Sequence, residues 1–328
     1  MAHVTPMPAA AAPTASRRPN FSKGYAAISA TVVIWALPSL FQFYLNNYYD
    51  PWAQNLYRYS TAFFAILPFV FLQQRNTPRE PVDRKTLLAC FWPCLPNTVH
   101  QILQVVALFY IGPGVYGIFG RSSVIFTALL ALAFFPEERH IIRQWRFIVG
   151  TLLGLVGAFG VIWFQAQPDH ESSHIPLRGL LIAFTATFCW SLYGVLVKRP
   201  SAKLGPIRSF GIVSFITSSL LLPLTLCFGR INTPLHVGVT PNVILVISAV
   251  ICITAAHVLY YIAIREIGVA LAQTLQLLCP VGGMLLSAWI FHERLGQAQV
   301  WSAAVLLLGA FLAMRVKPRE TTETAENI

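Results

Sequence analysis

Long apolar stretches follow one another along most of the chain, separated by short polar turns. A helix needs about 20 mostly apolar residues to cross the hydrocarbon core of a bilayer. Breaks of only a Gly, a Pro or a few polar residues predict tight hairpins between such helices. The pattern predicts an all-α polytopic membrane protein with ten transmembrane helices, at residues 24–45, 51–72, 86–110, 112–135, 145–164, 178–197, 207–228, 242–264, 268–291 and 297–315.

Composition supports a membrane protein, because 56% of the 328 residues are hydrophobic and only 11% are charged, against about 25% charged in soluble domains. The net charge of +11 does not indicate a nucleic-acid partner, since the basic residues form short clusters between apolar runs. The six cysteines lie in or beside apolar segments without CxxC spacing, which is typical of small buried hydrophobes. We expect the lipid bilayer as the environment, and no cofactor or metal.

The distribution of Lys and Arg predicts the orientation. With the N-terminus inside, eighteen of the 23 basic residues lie on the cytoplasmic side, three lie outside and two lie within spans. Cytoplasmic loops of membrane proteins carry such an excess. We therefore expect both termini in the cytoplasm of a bacterial cell, with the spans in its inner membrane. Residues 1–23 would be a disordered cytoplasmic tail, and residues 316–328 a second tail.

The chain repeats its own pattern at an offset of 155 residues, where helix starts, kinks and a charged turn recur. Each half holds five spans, so the second copy enters the membrane from the opposite side. This arrangement predicts two inverted five-helix repeats, residues 24–164 and 178–315, joined by an extracytoplasmic loop at 165–177. The matching positions are Gly24 and Gly179, Trp35 and Trp190, Pro51 and Pro206, Pro68 and Pro223, Glu138-Arg139 and Glu293-Arg294, and Gly154 and Gly309.

Some of these positions, together with others, also carry a family resemblance. They are Trp35 with Pro38, Arg58, Glu138-Arg139, Trp145, Gly150 and Gly154, and then Trp190, Pro280, Glu293-Arg294, Trp301 and Gly309. Over residues 24–315 the chain resembles the drug/metabolite transporter superfamily in its EamA-type, ten-helix form. The resemblance implies a permease that moves small organic metabolites, often outward, by alternating access.

Two motifs are typical of enzymes, but the residues around them favour a helix hairpin and a polar loop. Gly112, Gly114 and Gly117 match the dinucleotide fingerprint G-x-G-x-x-G, but apolar helical segments flank them where that fingerprint needs a strand. They suit a hairpin and close helix packing instead. His170-Glu171-Ser172-Ser173-His174 matches the zinc-protease motif, which requires a helix, yet Pro168 and Pro176 bracket it. A membrane metalloenzyme using this loop remains the alternative function.

Charged residues inside spans cost free energy, so each is a functional candidate. Arg121 lies about 14 Å along the fourth span, near the midplane. No Asp or Glu lies deep in any predicted span, so Arg121 needs water, backbone carbonyls or an anionic substrate group. Arg58 lies about 10 Å into the second span and is expected to snorkel to the interface in a gating or structural role.

Uncharged polar and aromatic residues complete the candidate substrate site around Arg121. His100 and Gln104 share a polar face of the third span, and His257 lies in the corresponding eighth span. Gln273 and Gln276 lie one helical turn apart in the ninth span. Trp35, Trp190 and Tyr261 would pack against the body of the substrate.

Glu138 and Glu293 begin the segments that lead into the fifth and tenth spans. A carboxylate near a helix N-terminus is stabilised by the helix dipole. We expect both to have a structural or gating role, paired with the adjacent arginines.

The sequence thus predicts a secondary transporter, an exporter or exchanger. Its substrate would be a small organic metabolite that is amino-acid-like or carries an anionic group. Because no carboxylate lies deep in a span, proton coupling would fall to the histidines or be absent. The protein is expected to be a monomer or homodimer and not an enzyme.

Overall fold

The computed structural model describes residues 19–76, 83–164, 176–291 and 295–316, and all regular structure in these ranges is helical. The helices of the first half are α1 (Phe21–Ile34), α2 (Pro38–Leu45), α3 (Pro51–Asn76), α4 (Arg84–Ala107), α5 (Pro113–Gly120), α6 (Ser123–Phe134), a 3₁₀ turn (Pro136–Glu138), α7 (Arg139–Ile142) and α8 (Trp145–Trp163).

The second half continues with the same kind of elements and adds a π-helix. Its helices are α9 (Leu177–Leu204), α10 (Pro206–Phe228), α11 (Thr233–His236), α12 (Val239–Ser248), the π-helix (Ala249–Ala255), α13 (Ala256–Ile267), α14 (Val269–Leu275), a 3₁₀ turn (Gln276–Leu278), α15 (Cys279–Phe291) and α16 (Gln297–Met314).

Eight helical stretches of the described residues are long and apolar enough to cross a membrane. The second and third predicted spans are also helices, α3 and α4, but neither is among these eight. Both carry polar side chains that are buried inside the bundle rather than presented at its surface. These residues are Gln54, Asn55, Arg58, Asn97, His100 and Gln101.

Four of the predicted spans are interrupted near their middles. α1 stops before Trp35, and α2 restarts at Pro38, whose fixed φ suits a first helical turn. α5 and α6 meet at Arg121. The π-helix separates α12 from α13, and the 3₁₀ turn beginning at Gln276 separates α14 from α15. Each of these stretches still counts as one helix long and apolar enough to cross a membrane, namely Phe21–Leu45, Val115–Phe134, Val239–Ile267 and Val269–Leu286. The local changes of winding therefore leave the predicted spans in place.

The most extensive helix packing pairs α8 with α16, α4 with α9, α3 with α10, and α1 with α13. Glycine permits the closest of these approaches. A Cβ on Gly309 of α16 would lie 2.5 Å from the backbone nitrogen of Gly154 and 2.6 Å from the carbonyl oxygen of Gly150, both on α8. Small residues let membrane helices approach in this way.

The start and the end of the described chain lie at the same end of the bundle, which we call the terminal end. The backbone N–H of Asn20 donates to the Glu266 carboxylate at 2.8 Å, and the Tyr25 hydroxyl donates to the Met314 carbonyl at 3.0 Å. The opposite end, called the distal end, carries Asp50, whose carboxylate accepts the Arg230 N–H at 2.9 Å.

Candidate functional site

The centre of the bundle contains a cavity of about 130 Å³, enough space for several waters. Each of the four interruptions contributes to its lining, through Trp35, Arg121, Cys252 and Gln276. Discontinuous helices of this kind form the substrate sites of many secondary transporters, since their freed backbone groups line the cavity.

Most of the predicted substrate residues lie together on this cavity. Seven of the nine line it: Trp35, His100, Gln104, Arg121, Trp190, His257 and Gln276. Gln273 and Tyr261 are fully buried beside it, and Arg58, expected to have a gating or structural role, also lines it.

Aromatic side chains form the wall of the cavity toward the terminal end. The rings of Trp35 and Trp190 meet edge to face with centroids 5.1 Å apart. His257 lies 5.4 Å from Trp35, and His100 lies 5.1 Å from Trp190. Trp190 also stacks on Tyr260 at 5.6 Å. This wall offers flat apolar surface for the body of a ligand.

The two histidines use the same ring atom, Nδ1, to bind a backbone carbonyl. Nδ1 of His100 lies 2.8 Å from the Ala186 carbonyl, and Nδ1 of His257 lies 2.8 Å from the Ile253 carbonyl. Because a carbonyl only accepts, Nδ1 carries the proton in each ring, and Nε2 of the neutral ring is an acceptor. Nε2 of His257 has no hydrogen-bond partner among the described residues.

Arg121 uses backbone carbonyls as acceptors. Its Nη1 donates to the Gln276 carbonyl at 2.8 Å, and its Nε donates to the Gly117 carbonyl at 3.2 Å. Gln276 stands 155 residues further along the chain, so Arg121 joins the break between α5 and α6 to the corresponding break in the second half.

Arg58 is only 1% exposed, so its expected extension to the membrane interface was wrong. Its Nε donates to the Ser248 hydroxyl at 3.2 Å, and its Nη1 has no partner among the described residues. The physical reason is the rotation of α3, which directs this side chain toward α12 and the cavity instead of along the lipid face. Depth along a helix does not by itself determine which side faces the bundle.

The two predicted residues beside the cavity support its wall. The Gln273 amide donates to the Ser123 hydroxyl at 2.7 Å, and its oxygen accepts from the Tyr260 hydroxyl at 3.0 Å and from Gln276 at 3.1 Å. The Tyr261 hydroxyl is hydrogen-bonded to the Tyr193 hydroxyl at 2.5 Å. These contacts hold the first layer of cavity residues in place.

Glu138 is buried at the terminal end, where it joins three partners from the second half of the chain. Its carboxylate accepts the N–H groups of Val269 and Ala270, each at 2.9 Å, and pairs with Lys198 Nζ at 2.5 Å. We call this group the terminal-end clasp. Gly268, at φ +85°, brings the N-terminus of α14 so close that a Cβ there would lie 3.0 Å from the carboxylate.

The expected pairing of Glu138 with an adjacent arginine was therefore wrong. Arg139 instead donates its Nε to the Leu132 carbonyl at 2.8 Å. The first N–H groups of α14 and an ammonium satisfy the carboxylate more fully than one neighbouring guanidinium would.

Five features predicted from the sequence lie wholly or mostly outside the described residues: Glu293, the His170-Glu171-His174 motif, the 165–177 loop, the 1–23 tail and the 316–328 tail. Within the described ranges, no group of three or more His, Cys, Asp and Glu side chains could hold a metal ion.

Several cavity residues were missed by the sequence argument, namely Ser39, Gln42, Thr187 and Cys252. Gln42 had a usable signal, because it is a polar residue inside an apolar segment. It donates to Gln104 at 3.4 Å. Cys252 had no such signal, since its contribution depends on the π-helix.

A bundle of apolar helices, broken around a polar central cavity, is the architecture of a membrane transporter. The EamA-like transporter family model matches residues 22–163 and 177–315. The chain belongs to this family, within the drug/metabolite transporter superfamily.

Curated relatives are similar over parts of their length. An "Uncharacterized transporter" of Haemophilus influenzae is 25% identical over 203 residues, which are 62% of this chain and 66% of the relative. An "Uncharacterized transporter" of Methanothermobacter thermautotrophicus is 30% identical over 192 residues, which are 58% of this chain and 53% of the relative. The "Threonine/homoserine exporter RhtA" of Escherichia coli is 31% identical over 99 residues, 30% of each chain. The matches thus span about two thirds of these relatives or less.

Solved structures share the fold. One crystal structure matches with a TM-score of 0.71 at 18% identity, covering 90% of this chain and 98% of the other. This likeness shows a shared fold.

Proposed function

We propose that this protein is a secondary transporter that exports or exchanges a small organic metabolite by alternating access. One observation carries the proposal: four broken helices surround a central cavity that two arginines line. No Asp or Glu is among the described residues of that lining. A buried cationic cavity favours an anionic group on its ligand, because uncompensated charges are costly in a membrane.

The proposed architecture is ten spans in two inverted repeats, residues 24–164 and 178–315. Contacts between positions 155 residues apart support it. Trp35 meets Trp190, and Arg121 donates to the carbonyl of Gln276. A two-fold pseudo-axis through the cavity would bring equivalent positions together in this way.

Access to the cavity would alternate between the two ends of the bundle. The clasp and the buried tyrosines Tyr193, Tyr260 and Tyr261 would close the terminal end. With both termini in the cytoplasm of a bacterial cell, as the distribution of basic residues favours, this conformation is closed toward the cytoplasm. The protein would act in the inner membrane as a monomer or homodimer.

The proposed substrate is amino-acid-like or otherwise carries an anionic group, which one of the two arginines would bind. Hydrogen bonds to the substrate would come from His100, Gln104, Gln276 and His257. Behind these residues lie Gln273 and Tyr261. The apolar part of the substrate would lie against Trp35 and Trp190. The name of the threonine/homoserine exporter, similar over 99 residues, supports amino acids as the first compounds to test.

Countertransport by the purified protein in liposomes tests this function. The panel contains amino acids, organic acids, amines and nucleosides, and we expect saturable exchange of at least one compound that carries a carboxylate. Replacing Trp190 by Leu should reduce this exchange about tenfold, because the substitution removes the ring that contacts Trp35, His100 and Tyr260.

Trp163→Leu is the matched control, since Trp163 is 61% exposed on α8 and does not line the cavity. It should transport like the wild type. Exchange no faster than in protein-free liposomes for the whole panel would reject the transporter, and equal losses in both variants would reject the cavity as its site.

A further inference from the structure

The two arginines of the cavity differ in how fully their donors are used. Arg121 donates to two backbone carbonyls, at 2.8 and 3.2 Å, and so ties two helix breaks together. Arg58 donates one hydrogen bond, to the Ser248 hydroxyl at 3.2 Å, while its buried Nη1 lacks a partner among the described residues. An anion bound to this guanidinium would relieve the free-energy cost of its buried, unpartnered donor.

His257 supplies a complementary atom. Since its Nδ1–H donates to the Ile253 carbonyl, its Nε2 is an acceptor, and that nitrogen is also buried and without a partner among the described residues. Arg58 and His257, which both line the cavity, thus carry an unused donor and an unused acceptor. A ligand that satisfies both must itself carry an acceptor and a donor.

Both groups are held by residues at the junction of α12 and the π-helix. Arg58 donates to the hydroxyl of Ser248, the last residue of α12, and His257 donates to the carbonyl of Ile253 within the π-helix. The same segment accepts a hydrogen bond from Trp35 Nε1 at the Cys252 carbonyl, at 3.0 Å. Residues 248–253 therefore hold a cation, an acceptor and an aromatic ring through three separate hydrogen bonds.

We propose that the substrate is an α-amino or α-hydroxy acid whose carboxylate binds Arg58 and whose adjacent amino or hydroxyl group donates to Nε2 of His257. This assignment rests on the proposed transport function. It makes Arg58 the specificity-determining cation and Arg121 the structural link between the two halves. The side chain of the substrate would lie against Trp35 and Trp190.

The test compares matched compounds on the full-length protein in liposomes. One set is 2-aminobutyrate, 2-hydroxybutyrate, butyrate and 2-aminobutyramide; a second has the same four groups on a phenylpropionate skeleton. The wild type should prefer the amino or hydroxy acid of one set over both the plain acid, which lacks the donor, and the amide, which lacks the carboxylate.

Each variant should remove one preference. Arg58→Gln should raise the half-saturation concentration for the acid about tenfold, the loss of one charged hydrogen bond, and abolish the preference for acid over amide. His257→Phe should abolish the preference for the compound with the donor while keeping the carboxylate preference. Arg58→Lys keeps the charge in the cavity and supplies the comparison when the Gln variant is not recovered folded; it should retain part of the acid preference.

Arg121→Gln is the matched control and should keep both preferences at whatever rate it transports. Transport by the wild type with both preferences unchanged in the Arg58 and His257 variants would overturn the assignment. Loss of the carboxylate preference in Arg121→Gln alone would also overturn it, by moving the anion to Arg121. If the wild type transports no compound of either set but exchanges another compound of the wider panel, the substrate class alone is overturned. If it exchanges no compound at all, the transport function itself is rejected.

Discussion

Replacing Glu138 by Gln should abolish exchange and lower the melting temperature of the purified protein. The side chain of Glu138 is only 4% exposed, and the change removes the charge that pairs with Lys198. An amide oxygen also accepts less strongly from the two α14 N–H groups than a carboxylate does. Breaking a buried ion pair by removing one partner costs about 3 kcal/mol or more.

The functional loss follows from the position of the clasp. It joins the 3₁₀ turn after α6 to α9 and to the first residues of α14, so it connects two halves that must separate if the terminal end is to open. Under alternating access, a transporter needs each closed state to be nearly as stable as the other. Without the clasp, we expect the terminal end to stay open and the exchange cycle to stop.

Glu137→Gln is a close control for this experiment. Glu137 is the preceding residue, it also contacts Lys198 at 3.0 Å, and the substitution makes the same change in charge, but its side chain is 64% exposed. Surface pairs contribute about 0–1 kcal/mol, so this variant should exchange and melt like the wild type. Normal transport by the Glu138 variant would show that the clasp has no gating role. Equal losses in both variants would show that the buried position of Glu138 is not what matters.

The sequence predicted the helical segments and most of the cavity residues because both depend on local pattern. Apolar length predicts a span, and polar residues inside a span must face either the bundle or a cavity. Trp35, His100, Trp190 and Gln276 all lie on the cavity. Their actual roles in transport stay predictions.

Other features depend on contacts between distant segments, which periodicity does not contain. The partner of Glu138 is 60 residues away in α9, and its other partners lie in α14. The rotation that buries Arg58 is set by packing of α3 against α10 and the π-helix, not by its distance from the helix end. The helix breaks near Arg121 and Gln276 likewise arise where two segments meet, with Arg121 donating across both.

A second large effect is expected where α8 crosses α16. Replacing Gly309 by Leu should prevent recovery of folded protein, because even a Cβ at this position would lie 2.5 and 2.6 Å from backbone atoms of Gly154 and Gly150. Backbone atoms do not move aside as a flexible side chain would, so the two helices must separate. Overpacking of one or two methylenes costs about 1–3 kcal/mol, and a whole isobutyl group between two backbones costs more.

Gly283→Leu serves as the comparison, since it makes the same substitution in the membrane helix α15, where a Cβ at Gly283 meets nothing within 4 Å. Leucine has a higher helix propensity than glycine by roughly 0.5–1 kcal/mol, so this variant should be at least as stable as the wild type. Size-exclusion profiles and melting temperatures in detergent distinguish the two. A Gly309 variant that elutes and melts like the Gly283 variant would show that this crossing does not limit folding, and that α8 and α16 tolerate separation by a full side chain.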